Sequence, residues 1–429
     1  MNKYIADLIE FLDESPVNFY AVDTTRRILE AHGFEELRLS EPWRLSAGDR
    51  CYVVQNGSAI FAFIVGDSAS SPFHIISAHS DSPGFRLKPH CEIATEGGVV
   101  KLNTEVYGGP ILYTWFDRPL SLAGRVALNS GDPLVPEMRL VRFNQPLLTI
   151  PHLAIHFNRT VNEGNKLSKQ KDMLPVLAID DFESSAGVIK RLIASELHIS
   201  EDDILDYDLS LYTTEGANLV GLSGNIISSG RIDDLSMVHA GLTALISEAD
   251  SITEATRVLA IFDNEETGSG TKQGAASPIL KDILNRLVMA MDGTPEDYSR
   301  AVARSFMISA DNAHGYHPNY GEKYDPTNHP RLGGGPCIKI NANCKYMTDA
   351  DSAAVFASIC ARADVPVQYF VNHSDSAGGS TLGNILTSQI PLRGVDMGAP
   401  VWAMHSARES ASTADHEYTI EAFREFFRL

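Results

Sequence analysis

The 429-residue chain sets 35 Lys and Arg against 55 Asp and Glu, a formal charge of -20, with 44% hydrophobic residues. That balance argues against a nucleic-acid surface, whose affinity comes from clustered cations. No apolar stretch approaches the roughly 18 residues of a membrane span, so no membrane partner is expected.

The length favours two domains, or one large domain carrying an insertion. The first residues, "MNKYIADLIEFLDESP", thread acids through apolar positions and lack the basic start and apolar centre of a secretory signal, so the cytoplasm is the expected location. Cys51, Cys91, Cys337, Cys344 and Cys360 are odd in number and contain no C-x-x-C pair, which fits reduced thiols and no cysteine-based zinc site.

In chain order, helical periodicity runs through "IADLIEFL" and "AVDTTRRILEAHG", stopped by Gly33. "CYVVQNGSAIFAFIVG" reads as a hairpin about Asn56-Gly57, a dipeptide that tolerates positive φ in a tight turn. "SPFHIISAHSDSPG" reads as a strand ending at His79. From about residue 88 the texture turns to Gly, Pro and β-formers, with few helical periods until about residue 185, and this suggests an inserted β-rich module. Alternation then returns: a helix at "SMVHAGLTALISEA", then the strands "TRVLAIF", "RSFMISA", "PCIKINA" and "VPVQYFV". The expected fold class is α/β, with a central sheet flanked by helices.

Functional groups in such sheets gather where strands end. Four strands end in possible ligands: "SAHSD" at 77 to 81, "FDNEE" at 262 to 266, "SADNAH" at 309 to 314 and "NHSDS" at 372 to 376. Each has an ordinary reading. His79 suits a surface hydrogen bond, Asp263, Glu265 and Glu266 suit a helix cap, Asp311 a turn cap and His405 a packed core position. Together, His79, an Asp of "RIDDL", Glu266, Asp311 and His405 form a set able to hold two divalent cations with positions open for water and substrate. Three carboxylates and one hydroxide would balance the +4 of two zinc ions. The neighbour of Glu266, Glu265, is then available as general base, and Asp81 could orient His79 or its metal from behind.

"SAHSDSPGFRLKP", "GRIDDL", "DNEETGS", "SADNAHGYHPNY" and "MHSARE" occur in the order and wording of the aspartyl aminopeptidase family of zinc metallopeptidases, which the chain resembles over nearly its whole length. The resemblance implies one metal on His79, Asp233 and Asp311 and a second on Asp233, Glu266 and His405, with Glu265 as proton shuttle and Asp81 behind the ligands. Asp233 is taken as the bridge by register after Arg231, although the family usually reads Leu-Asp-Asn where this chain has Ile232-Asp233-Asp234. Two divalent ions per subunit are implied, zinc foremost, with cobalt and manganese accepting similar ligands. Further implications are a catalytic domain of residues 1–87 and 231–429, interrupted by a dimerisation domain at 88–230, and dimers that assemble into dodecamers. The implied reaction releases single N-terminal residues from peptides, with preference for Asp or Glu read by Lys339. His156 and His317 are implied at the substrate, His156 as an oxyanion donor supplied by a partner subunit. Related two-zinc folds also host carboxypeptidases and deacylases, and a non-catalytic shell protein is a third reading. The presence of Glu265 and every implied ligand argues against the last.

Overall fold

Strands whose residues are apolar at nearly every position must be covered on both faces, and the centre of this protein is built that way. The computed structural model describes residues 2–179, 186–251 and 253–429. Its chain divides into two compact units. The first comprises Met1–Asp81, Ala217–Met404 and Glu409–Leu429, and the second Ser82–Gly216 and His405–Arg408.

A nine-stranded mixed sheet runs through the first unit in the order Glu35–Glu36, Arg50–Gln55, Ala59–Ile64, Thr256–Phe262, Phe73–His79, Phe306–Ala310, Arg393–Gly398, Cys337–Lys339 and Gln368–Phe370. Thr256–Phe262, Phe73–His79 and Phe306–Ala310 lie side by side and parallel, with Phe262 level with His79 and Ser309 level with Ser77. Side chains alternate along each strand. Ile76, Ala78, Leu259, Ile261, Ile308 and Ala310 enter one core, while Ile75, Val258, Ala260, Phe262 and Met307 enter the other. The helices Lys3–Glu14, Asn18–Ala31, Ile232–Ser247 and Thr413–Arg428 supply the first core; Ile279–Ala290 supplies the second. The Arg50–Gln55 and Ala59–Ile64 hairpin turns at Asn56 and Gly57, both with positive φ, as that dipeptide predicts.

A second sheet of this unit joins Asn218–Val220, Ile226–Ser229, Glu409–Ser412, Pro400–Trp402 and Ala313–His314. The other unit holds a six-stranded antiparallel sheet in the order Glu137–Arg142, Leu120–Leu128, Ile204–Thr213, Gly84–Ala94, Val99–Tyr107 and Val176–Ile179. Ile189 and Ile193 of the helix Val188–Leu197 enter its core.

The two compact units divide at 81/82 and 216/217. Gly84–Ala94 pairs entirely within the six-stranded sheet, so the break precedes it. Asn218–Val220 and Ile226–Ser229 pair toward Glu409–Ser412, so they belong to the first unit. No helix among the described residues is long and apolar enough to cross a membrane.

Candidate metal centre

Three neighbouring parallel strands end at the same edge of the sheet, and each brings a group able to ligate a metal ion. His79 is the last residue of its strand, Asp311 follows Ala310 directly, and Glu265 and Glu266 follow Phe262 after a short turn. Asp233 and Asp234 come from the start of the helix Ile232–Ser247, where their backbone is not yet helical. Ligating atoms of His79, Asp233, Asp234 and Asp311 lie within 4.8 Å of one another, and the same holds for His79, Glu265 and Glu266.

The surroundings fix each group. His79 is buried, with Nε2 3.6 Å from Asp233 Oδ1 and Nδ1 3.1 Å from the Asp81 carbonyl and 3.4 Å from its carboxylate. The Asp81 carboxylate also accepts the backbone N–H groups of Glu265 at 3.1 Å and Glu266 at 3.2 Å. Asp81 thus contacts both the imidazole and the backbone amides of the adjacent acids. Asp234 has both oxygens engaged by backbone amides: Oδ2 accepts from His79 and Oδ1 from Asn312. That use leaves Asp233 as the acid of the pair whose Oδ1 faces His79.

Electrostatics express the crowding of acids. Burial, aided by Asp311, Glu266 and Asp81 and opposed by His79, raises Glu265 to about 8. Burial likewise holds Asp234 well above the usual carboxylate range. For His79, burial disfavours the charged ring, but Asp234, Asp233 and Asp81 outweigh it and its pKa rises. An oxygen-rich donor set with one imidazole, converging in a buried cluster of negative charge, fits a divalent cation of the hard or borderline kind.

Three further residues shape the centre through hydrogen bonds. Glu409, buried, accepts the Asp233 N–H at 3.0 Å. Asn312 donates to the Ala399 carbonyl and accepts from Ser236. Asp263 accepts from the Asn18 side chain and the Asn264 N–H, and burial raises it to about 6. Glu409 closes the "MHSARE" motif and Asp263 belongs to the "FDNEE" cluster, so a hint existed for both; the part played by Asn312 is recognisable only once strands are neighbours.

The remaining predicted residues are placed as follows. Lys339 ends the strand Cys337–Lys339, buried, with Nζ 3.4 Å from Asp311 Oδ2 and 5.8 Å from the Tyr346 ring centre. His317, half-buried, packs on Tyr320 and Trp402 and accepts the Asn319 N–H. In the second unit His156 is exposed in a 3-10 turn beside exposed Leu153, Ile155 and Phe157. His152, by contrast, is half-buried, stacks edge-on against Phe116 and bonds the Leu153 carbonyl. His405 opens the His405–Arg408 segment, with Nδ1 3.1 Å from the Gly109 carbonyl. The fourth strand-end cluster, "NHSDS", follows the edge strand Gln368–Phe370, and its His373 and Asp375 are in none of the possible ligand groups found among the described residues.

Residues 11–427 match the sequence profile of the aminopeptidase I zinc metalloprotease family (M18). A Clostridium novyi protein named as an M18 family aminopeptidase 2 is 48% identical over 431 residues, covering all of this chain and 99% of the relative. A counterpart from Pseudomonas aeruginosa is 42% identical over 426 residues, 98% of this chain and 97% of the relative. Among solved structures, Ape4 in its complex with Nbr1 superposes with a TM-score of 0.94 at 33% identity, covering 99% of this chain and 85% of that one. The S. cerevisiae mApe1 dodecamer gives 0.88 at 25% identity, covering 99% and 96%.

Proposed function

Because the chain belongs to the M18 family of zinc aminopeptidases, we propose that its centre holds two divalent ions and removes single N-terminal residues from peptides, favouring Asp or Glu. The observation that carries this reading is the convergence of His79, Asp233, Asp311, Glu265 and Glu266 at one sheet edge. His79, Asp233 and Asp311 hold one ion, and Asp233, Glu266 and His405 the other, His405 being assigned by its motif. When bound, the ions polarise the scissile carbonyl and acidify water. Glu265 accepts the proton of the attacking water on its carboxylate and returns it to the leaving amine. Asp81 keeps Glu265 and Glu266 in register by holding their amides.

His156 donates a hydrogen bond to the developing oxyanion across a subunit interface. The exposed apolar residues around it support burial against a second copy, and dimers assembling into a dodecamer fit the state of the mApe1 relative. Lys339 supplies the cation that reads an acidic substrate side chain, and His317 borders the substrate. The cytoplasm suits a chain with reduced, mostly buried cysteines. The family match does not favour a carboxypeptidase or deacylase.

The test is hydrolysis of aminoacyl anilides beside N-acylated amino acids, before and after chelation, with zinc, cobalt and manganese added back. Metal-restored release of aspartyl or glutamyl groups is expected, with the N-acyl compounds untouched. Preferential N-acyl cleavage would sink the aminopeptidase mechanism. Lys339→Met should weaken cleavage after Asp or Glu more than after Leu or Ala, and equal losses would remove Lys339 from side-chain recognition.

A further inference from the structure

Lys339 is a buried ammonium whose nearest acid belongs to the ligand cluster. Its Nζ lies 3.4 Å from Asp311 Oδ2, and Asp311 is one of the grouped metal-ligating residues. Both side chains are largely enclosed, with relative exposures of 4% and 12%, so the attraction is weakly screened by solvent. The backbone holds the pair in place. Asp311 donates its N–H to the Met397 carbonyl at 3.0 Å, while Ile338, the neighbour of Lys339, pairs with Met397 across the antiparallel strands. On its other side the ammonium faces the Tyr346 ring at 5.8 Å and feels the buried Asp396 carboxylate. One carboxylate is therefore shared by a fixed cation and by any metal that Asp311 binds.

We propose that Lys339 couples metal occupancy to recognition of an acidic substrate side chain, through the Asp311 carboxylate that it shares with the metal. This rests on the reading above, in which Asp311 is a ligand and Lys339 faces the substrate side chain. Without metal, Lys339 is compensated by Asp311 and has little to gain from a second carboxylate. A metal ion drawing on Asp311 leaves the ammonium under-compensated beside a dication. An entering Asp or Glu side chain then neutralises it. Linkage requires the reverse effect to be equal: an acidic ligand must tighten metal binding by the factor by which metal tightens the acidic ligand. A neutral side chain has no such effect.

The experiment titrates Zn2+ against a chromogenic chelator, with the protein alone, with L-aspartate and with L-leucine, correcting for each amino acid's own zinc binding. Both carry the same amine and carboxylate, so their difference isolates the side chain. In the wild type, aspartate should tighten Zn2+ by roughly tenfold more than leucine does, the scale of one partly screened charge interaction. In Lys339→Met that difference should vanish, and Zn2+ should bind more tightly than in the wild type when no amino acid is present; Lys339→Arg should keep the difference. Equal effects of aspartate and leucine on the wild type would overturn the coupling without recourse to any variant. Weaker zinc binding by Lys339→Met would also overturn it, because the lysine would then be positioning Asp311 for the metal rather than competing for it. Wild-type zinc affinity in Asp311→Asn would overturn both the coupling and the ligand assignment beneath it. Normal dependence on Asp311 with no aspartate effect would sink the coupling alone.

Discussion

Glu265 and Glu266 hang from the same Asp81 clamp, yet neutralising each should have different results. Glu265→Gln keeps the shape and the backbone bonds, so the protein should fold and retain its zinc while turnover falls by about 10²–10⁴, the usual range for a positioned general base. Glu266→Gln should lower metal content if Glu266 holds the ion as proposed. Metal analysis beside steady-state kinetics separates the two, and substantial turnover in Glu265→Gln would remove it from the mechanism. Gly398 makes a different demand, because a Cβ there would lie 1.8 Å from the Asp311 carbonyl oxygen. Gly398→Ala should therefore shift Asp311, just beyond the strand Phe306–Ala310, lowering both Tm and metal content, although it touches no side chain of the centre. A variant with unchanged zinc affinity would show that the edge of the sheet can relax without moving its ligand.

Among the elements, the strands ending in His79, Phe262 and Ala310 were legible because each is a short apolar run stopped by polar residues, the pattern of a strand buried on both faces. The candidate ligands at their ends could be picked out in the sequence for the same reason. What sequence could not supply was adjacency. "NHSDS" looked equivalent to the other three clusters, but it follows an edge strand, and strand order is set by long-range pairing. Glu409 and Asn312 escaped notice because they hold backbone groups of segments distant in sequence, and Asp263, read as a cap, instead accepts from the distant Asn18 side chain. A comparable link joins two helices: His239 of Ile232–Ser247 and His416 of Thr413–Arg428 share a 2.9 Å Nδ1 to Nε2 hydrogen bond in the core. Burial lowers His239 to about 3, and burial, with His239 adding, pushes His416 well below the ordinary value. The unfolded chain takes up protons near pH 6.5 while the folded pair refuses them. The stability these histidines contribute is thus complete above about 6.5 and lost as pH falls below it, by up to about 1.4 kcal/mol per pH unit for each histidine. Between pH 6.5 and 4.5 the Tm of the wild type should fall more steeply than that of a His239→Leu, His416→Leu double variant. Parallel slopes would mean that other groups govern the acid limb.

At the scale of the whole molecule, the proposed role of His156 requires more than one chain. His156→Ala and Glu265→Gln proteins should each be nearly inactive alone, and co-refolding them should restore activity, because mixed dimers pair an intact Glu265 with a His156 given by the other subunit. Verified mixed dimers that stay inactive would confine His156 to its own chain or remove it from catalysis. The texture of the sequence changes near residue 88, whereas Gly84–Ala94 begins before that point, and four residues near the C-terminus also lie in the second compact unit. The backbone passes between the units four times, and His405 and Ala407 are stitched into the second by hydrogen bonds with Ile111 and Thr114. Cutting the chain at 81/82 and 216/217 would leave residues 405–408 of the second unit on the other polypeptide, and a gene deletion spanning 82–216 would strand a four-residue tether without its hydrogen-bond partners Ile111 and Thr114.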